Sequence, residues 1–229
     1  MLETACWTGG VLLIVLYFGA RAYGEMERRQ AVASFTQARS VAEAENGGSS
    51  DAGRIELAPS STDTEPSSPN RGPDQTHGPD QTQWSASRIR AYTAVTAEGA
   101  PLPEALLRIR RVGLEVPVYA DTNERNLNRG AGLIAGTAAP DSDGNVAIAA
   151  HRDGYFRALE RVVVGDVLEL ESLSQQRRYR VTELAIVEPT DMSPLDATDA
   201  PALTLVTCYP FYFAGAAPQR YIVRALAID

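Results

Sequence analysis

Downstream of residue 88 the chain holds a single cysteine, Cys208, and a single histidine, His151. A thiol and an imidazole are the pair that nucleophilic acyl transfer uses, the thiolate attacking a carbonyl carbon while the imidazole moves the proton. Both residues close apolar runs. Cys208 ends Ala202-Leu203-Thr204-Leu205-Val206-Thr207 before Tyr209-Pro210, and His151 ends Asn145-Val146-Ala147-Ile148-Ala149-Ala150 before Arg152-Asp153-Gly154. A strand end is held by a rigid sheet and can still face a cleft, which suits a nucleophile and its proton partner. Arg220 opens a third such run, Tyr221-Ile222-Val223-Arg224-Ala225, which could pair beside the strand of Cys208. The connection from Tyr209 to Gln219 has the length of a hairpin loop carrying an insertion. Taken singly, each residue has a plainer reading: a small buried thiol, a hydrogen-bonded structural histidine, a solvated edge charge. Only the combination points to chemistry.

The elements that must position these residues are mostly strands. Apolar residues recur at a period of two along Val112, Leu114, Val116 and Val118, around Val181 and from Leu203 to Cys208, with frequent β-branching. Asp143-Gly144-Asn145, Gly165-Asp166 and the stretch Pro189 to Pro194 punctuate the runs as turns. A short helix is expected after Asp121, with Glu124 at capping-box spacing, and another over Tyr155 to Arg161. No stretch is long enough for a series of α/β crossovers, so the expectation is a mainly β, closed or nearly closed barrel of seven or eight strands with short helices.

Upstream, composition divides the chain. Residues 5–20 carry no charge, between Glu3 and Arg21. With Tyr23 and Trp7 at the interfaces this run can just span a bilayer, which takes about 17 to 25 residues. An n-region without arginine argues against a cleaved signal peptide. Residues 1–30 are therefore expected to form an uncleaved transmembrane anchor. Arg21, Arg28 and Arg29 follow it, on the side where the positive-inside rule places the cytoplasm, although long following domains translocate regardless of flanking charge. Residues 31–87 are expected to be a flexible Pro/Ser/Gly-rich linker, because a stretch so poor in apolar side chains cannot offset the entropy of ordering. It includes the repeat Gly72-Pro73-Asp74-Gln75-Thr76 and Gly78-Pro79-Asp80-Gln81-Thr82, and His77 as a solvated side chain. Residues 88–229 form the folded domain.

Several functions are excluded. The net charge is −8, which argues against a nucleic-acid partner. All basic residues are arginine, so no lysine can act as base or Schiff-base former. Two cysteines, Cys6 and Cys208, make neither a disulfide scaffold nor a four-ligand zinc cluster. Asp141-Ser142-Asp143-Gly144-Asn145 lacks the glutamate of a calcium loop, and no metal or other cofactor is expected. Cys6 lacks the preceding apolar segment of a lipidated cysteine.

The segments Thr204-Leu205-Val206-Thr207-Cys208, Ala149-Ala150-His151-Arg152 and Gln219-Arg220-Tyr221-Ile222-Val223 resemble, in order and content, the TLxTC strand, the histidine element and the arginine strand of the sortases, the cysteine transpeptidases of bacterial surfaces. The run from Cys208 to Phe213, ending at Ala217-Pro218-Gln219-Arg220, looks most like class D sortases and their Gram-negative relatives. The likeness covers residues 106–228. It departs at Ala150, where many relatives have glycine.

This resemblance implies a sortase-like barrel with Cys208 as nucleophile, His151 as proton donor and Arg220 as oxyanion stabiliser. The implied substrate is a surface protein bearing a C-terminal LPxTG-like sorting signal, resolved from its thioacyl intermediate by an amine acceptor of the cell envelope. It further implies that the loop of Glu188 to Asp199, with Pro194 and Leu195, lines the peptide groove and that Thr207 contacts substrate. The domain would lie outside a cytoplasmic membrane crossed once. Two alternatives remain: another cysteine acyl-transfer enzyme or peptidase of the envelope, and a non-catalytic tethered β-domain in which Cys208 is buried and inert.

Overall fold

The computed structural model describes Met26, residues 28–43, Ile89 and residues 101–228 apart from Ala214. Eight strands close into a barrel in the order β1-β2-β3-β4-β7-β8-β6-β5. They are β1 (Ala105–Ile109), β2 (Leu114–Tyr119), β3 (Ala131–Leu133), β4 (Asn145–Ala149), β5 (Val167–Ser172), β6 (Gln176–Val187), β7 (Ala202–Tyr209) and β8 (Gln219–Ile228). The period of two is the construction rule. Leu107, Val116, Ile148, Leu170, Leu205 and Val223 fill the interior, and the residues between them face outward. Val112, which the alternation places on a strand, instead lies in a 3-10 turn over Arg110–Val112, closed by Gly113 at φ 69° before β2 begins. The helical turn expected over Tyr155–Arg161 is present in 3-10 form, burying Phe156 and Leu159.

Two strand pairings set the layout of one end of the barrel. β7 and β8 are antiparallel neighbours, whereas β4 and β7 run parallel. The C-terminal ends of β4 and β7 therefore lie at the same end of the barrel as the start of β8.

The expected helix after Asp121 is α2 (Glu124–Arg129), but its cap differs from the expected one. Asn123 is the N-cap, its side chain accepting from the Asn126 N–H. Asp121 instead accepts from the Asn123 N–H and from Asn126 Nδ2, both at 2.9 Å, so it braces the turn ahead of the cap. This turn crosses directly over β3: a Cβ on Gly132 would stand 2.1 Å from the Asp121 carbonyl oxygen, so only glycine fits.

Residues 31–43, which composition assigns to a flexible linker, are instead helical. Residues 28–43 form a helix, α1, with Ala31 and Phe35 buried. Arg28 binds Glu115 at 2.9 Å, and Arg39 pairs with Glu171. Arg108 on β1 pairs with both carboxylates. These contacts lay α1 across the outward face of β2, β1 and β5, where Leu106 is also buried. Spacing of i, i+4 gives the helix its apolar stripe, and the stripe orders because the barrel supplies a partner for it. Residues 5–20, where the membrane anchor is expected, and most of residues 44–100 lie outside the described residues. Among the described residues no helix is long and apolar enough to cross a membrane.

The charge pairs make a pH prediction. The hydrogen bond from Arg111, with further help from the Val163 N–H, holds the Asp166 carboxyl below its ordinary range. Burial works to raise Glu115, but hydrogen bonds from Arg108 and Arg28 outweigh it and leave this carboxyl lowered too. A carboxyl whose pKa is lower folded than unfolded contributes stability above its unfolded pKa, about 4, and loses it as pH falls toward the folded value. The melting temperature is therefore expected to fall below about pH 4. In Asp166→Asn it should be lower at pH 7 and depend less steeply on acid. Calorimetry between pH 2.5 and 7 checks this, and an unchanged acid slope in that variant would refute the assignment.

Candidate active site

On β7 the interior residues are Leu203 and Leu205, with Tyr209 packed against the core, so alternation places Cys208 on the outer face. On β8 the interior residues Val223 and Ala225 leave Arg220 facing outward in the same way. Cys208 and Arg220 are direct cross-strand partners. Side chains so paired stand on one face with Cβ atoms about 4.5–5.5 Å apart. Thiol and guanidinium are adjacent by register.

His151 arrives from the other side. The last registered pair of β4 with β7 is Ala149 with Val206, and the Ala150 N–H continues the ladder to the Val206 carbonyl at 3.3 Å. Two residues beyond Ala149, the chain brings His151 level with Cys208, again on the outward parity. The three residues picked out in the sequence thus stand side by side on neighbouring chain segments, in the order His151, Cys208, Arg220. All three are partly exposed. A buried inert thiol, which the non-catalytic alternative requires, does not match this placement.

Local contacts hold the imidazole segment. The Thr207 hydroxyl donates to the Ala150 carbonyl at 2.8 Å and is 2% exposed. A substrate contact needs an accessible hydroxyl, so Thr207 is placed as a tie between β7 and the histidine segment rather than against a peptide. Ala150 is buried with its methyl in the core cluster, so it does not press on the imidazole. Thr207→Val should strand the Ala150 carbonyl and lower stability by about 1–3 kcal/mol, with a fall in turnover larger than the lost folded fraction explains. Thermal melts beside rate measurements would test this, and wild-type turnover in the folded variant would count against it.

Glu124, on α2, brings Oε2 to 3.7 Å from His151 Nε2. The sequence offered Glu124 only as a capping residue, and nothing in its spacing from His151 marks the contact, which exists because α2 folds over β3. Arg220 Nη1 donates to the Gln219 carbonyl at 3.1 Å. A guanidinium has five N–H donors, so others remain for a developing oxyanion. Beneath the site Tyr209 and Tyr221 stack, and Phe211 meets both rings edge to face, at centroid separations of 5.2–6.0 Å.

Pro194 and Leu195 lie in a 3-10 turn, Ser193–Leu195, at the other end of the same face. Buried Asn145, at the start of β4, donates through Nδ2 to the carbonyls of Pro194 and Asp196 at 2.9 and 3.0 Å, and its Oδ1 accepts from Thr204. The structure therefore does not bring Pro194 and Leu195 to the thiol. At about 3.3 Å per residue, the face from Asn145 to His151 is roughly 20 Å long. Ala149, Val206 and Ile222 floor it near the thiol. Among the described residues no cluster of three or more His, Cys, Asp or Glu could hold a metal ion.

Residues 107–228 match the family model described as Sortase domain. The chain is 32% identical over 119 residues to Sortase D of Bacillus subtilis (strain 168), a match covering 52% of this chain and 60% of that protein. It is 31% identical over 111 residues to Sortase A of Listeria monocytogenes, covering 44% and 47%. The matches thus span less than two thirds of either curated relative. Among solved structures, sortase C1 from Streptococcus suis superposes with a TM-score of 0.51 at 28% identity, over 62% of this chain and 80% of that one. A Clostridium perfringens Sortase D5 transpeptidase shares the fold, with a TM-score of 0.51 and 24% identity over 65% of this chain and 92% of that one.

Proposed function

This chain belongs to the sortase family, and from that premise we propose that it is a cysteine transpeptidase acting on the LPxTG-like C-terminal signal of a surface protein. The observation that carries the reading is the alignment of His151, Cys208 and Arg220 on one outward face at one end of the barrel. The thiolate of Cys208 attacks the scissile carbonyl carbon, and the oxyanion that forms is met by N–H donors of Arg220. As the carbon–nitrogen bond breaks, imidazolium at His151 gives its proton to the departing amine. A second amine, from the cell envelope, then attacks the thioester, loses its proton to the imidazole and releases Cys208. With water in place of the amine the outcome is hydrolysis.

The face between Cys208 and the Pro194-Leu195 turn supports a peptide donor of the expected length. In a signal cut after the threonine, the four residues on the N-terminal side of the scissile bond measure about 13 Å at 3.3 Å each, which fits within the roughly 20 Å from the thiol end of the face to the turn pinned by Asn145. An extended signal with its scissile bond at Cys208 thus lies along this face, its apolar N-terminal residues directed toward the Pro194-Leu195 turn. The anchor expected in residues 5–20 holds the enzyme on the outer side of the cytoplasmic membrane, where such substrates emerge.

The deciding experiment incubates the soluble domain with a library of LPxTG-like peptides and hydroxylamine. Mass spectrometry is expected to find a thioacyl adduct on Cys208 and a hydroxamate product cut after the threonine. Absence of any adduct across the library, with Cys208 free and the domain folded, would reject the reading.

A further inference from the structure

The residue after the histidine is tied to the segment after the cysteine. Arg152 donates from Nη1 to the Pro210 carbonyl at 3.2 Å, and from Nη2 to the carbonyls of Phe213 and Gly215 at 2.7 and 2.9 Å. Its guanidinium carbon also lies 5.7 Å from the centroid of the Phe213 ring. Nearby, Arg157 stands 4.6 Å from the centroid of the Tyr212 ring. Three backbone acceptors of the β7–β8 connection are thus gathered by one side chain reaching out of the histidine segment. A loop of this length has few contacts of its own to hold it, and a rigid planar fork can satisfy several carbonyls at once where a point charge cannot.

We propose that Arg152 is a positioning residue: it clamps the β7–β8 connection to the histidine segment and so fixes His151 relative to Cys208. The clamp works from the side opposite the Thr207 tie. Thr207 fastens Ala150 to β7 just before the histidine, and Arg152 fastens the chain just after it to the stretch that begins two residues past the thiol. Between the two ties the backbone of His151 has little freedom to drift from the thiol. Arg152 itself need not touch the substrate. The proposal rests on the acyl-transfer reading for its kinetic consequence, though not for the geometry.

The test compares Arg152→Ala, Arg152→Gln and Arg152→Lys with the wild-type domain in three measurements: steady-state transfer of an LPxTG-like peptide to hydroxylamine, the rate of Cys208 alkylation by iodoacetamide at pH 7, and the melting temperature. A displacement on the order of 1 Å costs as much as 10²-fold, so kcat is expected to fall about 10- to 100-fold in the alanine variant. The donor KM should change little, because the peptide face is left intact. Alkylation should slow as the imidazole loses its place beside the thiol. Lysine keeps the charge without the fork and should recover little. Full recovery by lysine, or wild-type kcat and alkylation in both the alanine and glutamine variants, would overturn the proposal. So would losses in the glutamine variant that its unfolded fraction accounts for entirely. If the wild-type domain turns over no peptide, the transpeptidase reading fails on that result alone. The alkylation comparison then still decides the clamp.

Discussion

Replacing Cys208 by alanine is expected to end turnover of every sorting-signal peptide while leaving the barrel folded. The sulfur sits on the outward face, partly exposed and outside the interior cluster. Its removal takes no atom from the core, and stability should change by no more than about 0.5 kcal/mol. The chemical loss is of another order. Without a nucleophile no thioacyl intermediate forms, and loss of such a residue in a working constellation costs on the order of 10⁶ in kcat. The measurement pairs intact-mass spectrometry of peptide-treated protein with a thermal melt. An active Cys208→Ala domain would remove the thiol-nucleophile reading altogether, because no other thiol lies among the described residues.

Arg220→Ala is expected to lower kcat by about 10² to 10³, the usual cost of one oxyanion donor, while Cys208 stays open to alkylation by iodoacetamide. The two outcomes are informative only as a pair. Cys208 and Arg220 are register partners across β7 and β8, so a disrupted hairpin would change both reactivity and stability. A variant that melts like the wild type, alkylates and yet fails to transfer isolates transition-state stabilisation as what was lost. Arg220→Lys sharpens the comparison: it restores the positive charge beside the thiol but not the planar set of donors, and its rate should lie nearer to alanine than to arginine. Near wild-type transfer by Arg220→Ala would mean that the oxyanion is stabilised elsewhere, with backbone N–H groups the first candidates.

The outer-face contacts differ from the active site in what they depend on. Arg28, Arg39 and Arg108 bind Glu115 and Glu171 around β1, which lies across the barrel from β7 and β8. Acid and salt that loosen α1 therefore act first on the side away from the thiol.

How much of the molecule is legible in the chain alone depends on the range of each interaction. Residue type and local alternation were enough for a mainly β barrel of seven or eight strands and for placing Cys208, His151 and Arg220 at strand ends, because a period of two is a short-range property. Register is not. That Cys208 faces Arg220, and that His151 comes level with both, is decided by pairing between segments separated by dozens of residues. The same holds for Thr207, whose hydroxyl is occupied by a carbonyl of the histidine segment, and for Pro194 and Leu195, which Asn145 holds at the far end of the face. It holds for Asp121 as well, which braces a turn that Asn123 caps. Residues 28–43 show the limit most clearly: Ala31 and Phe35 are too sparse an apolar stripe to order a helix alone, and composition assigned most of the stretch to a linker. The barrel supplies the face that buries them, and a partner surface assembled from β1, β2 and β5 exists only after the chain has closed on itself.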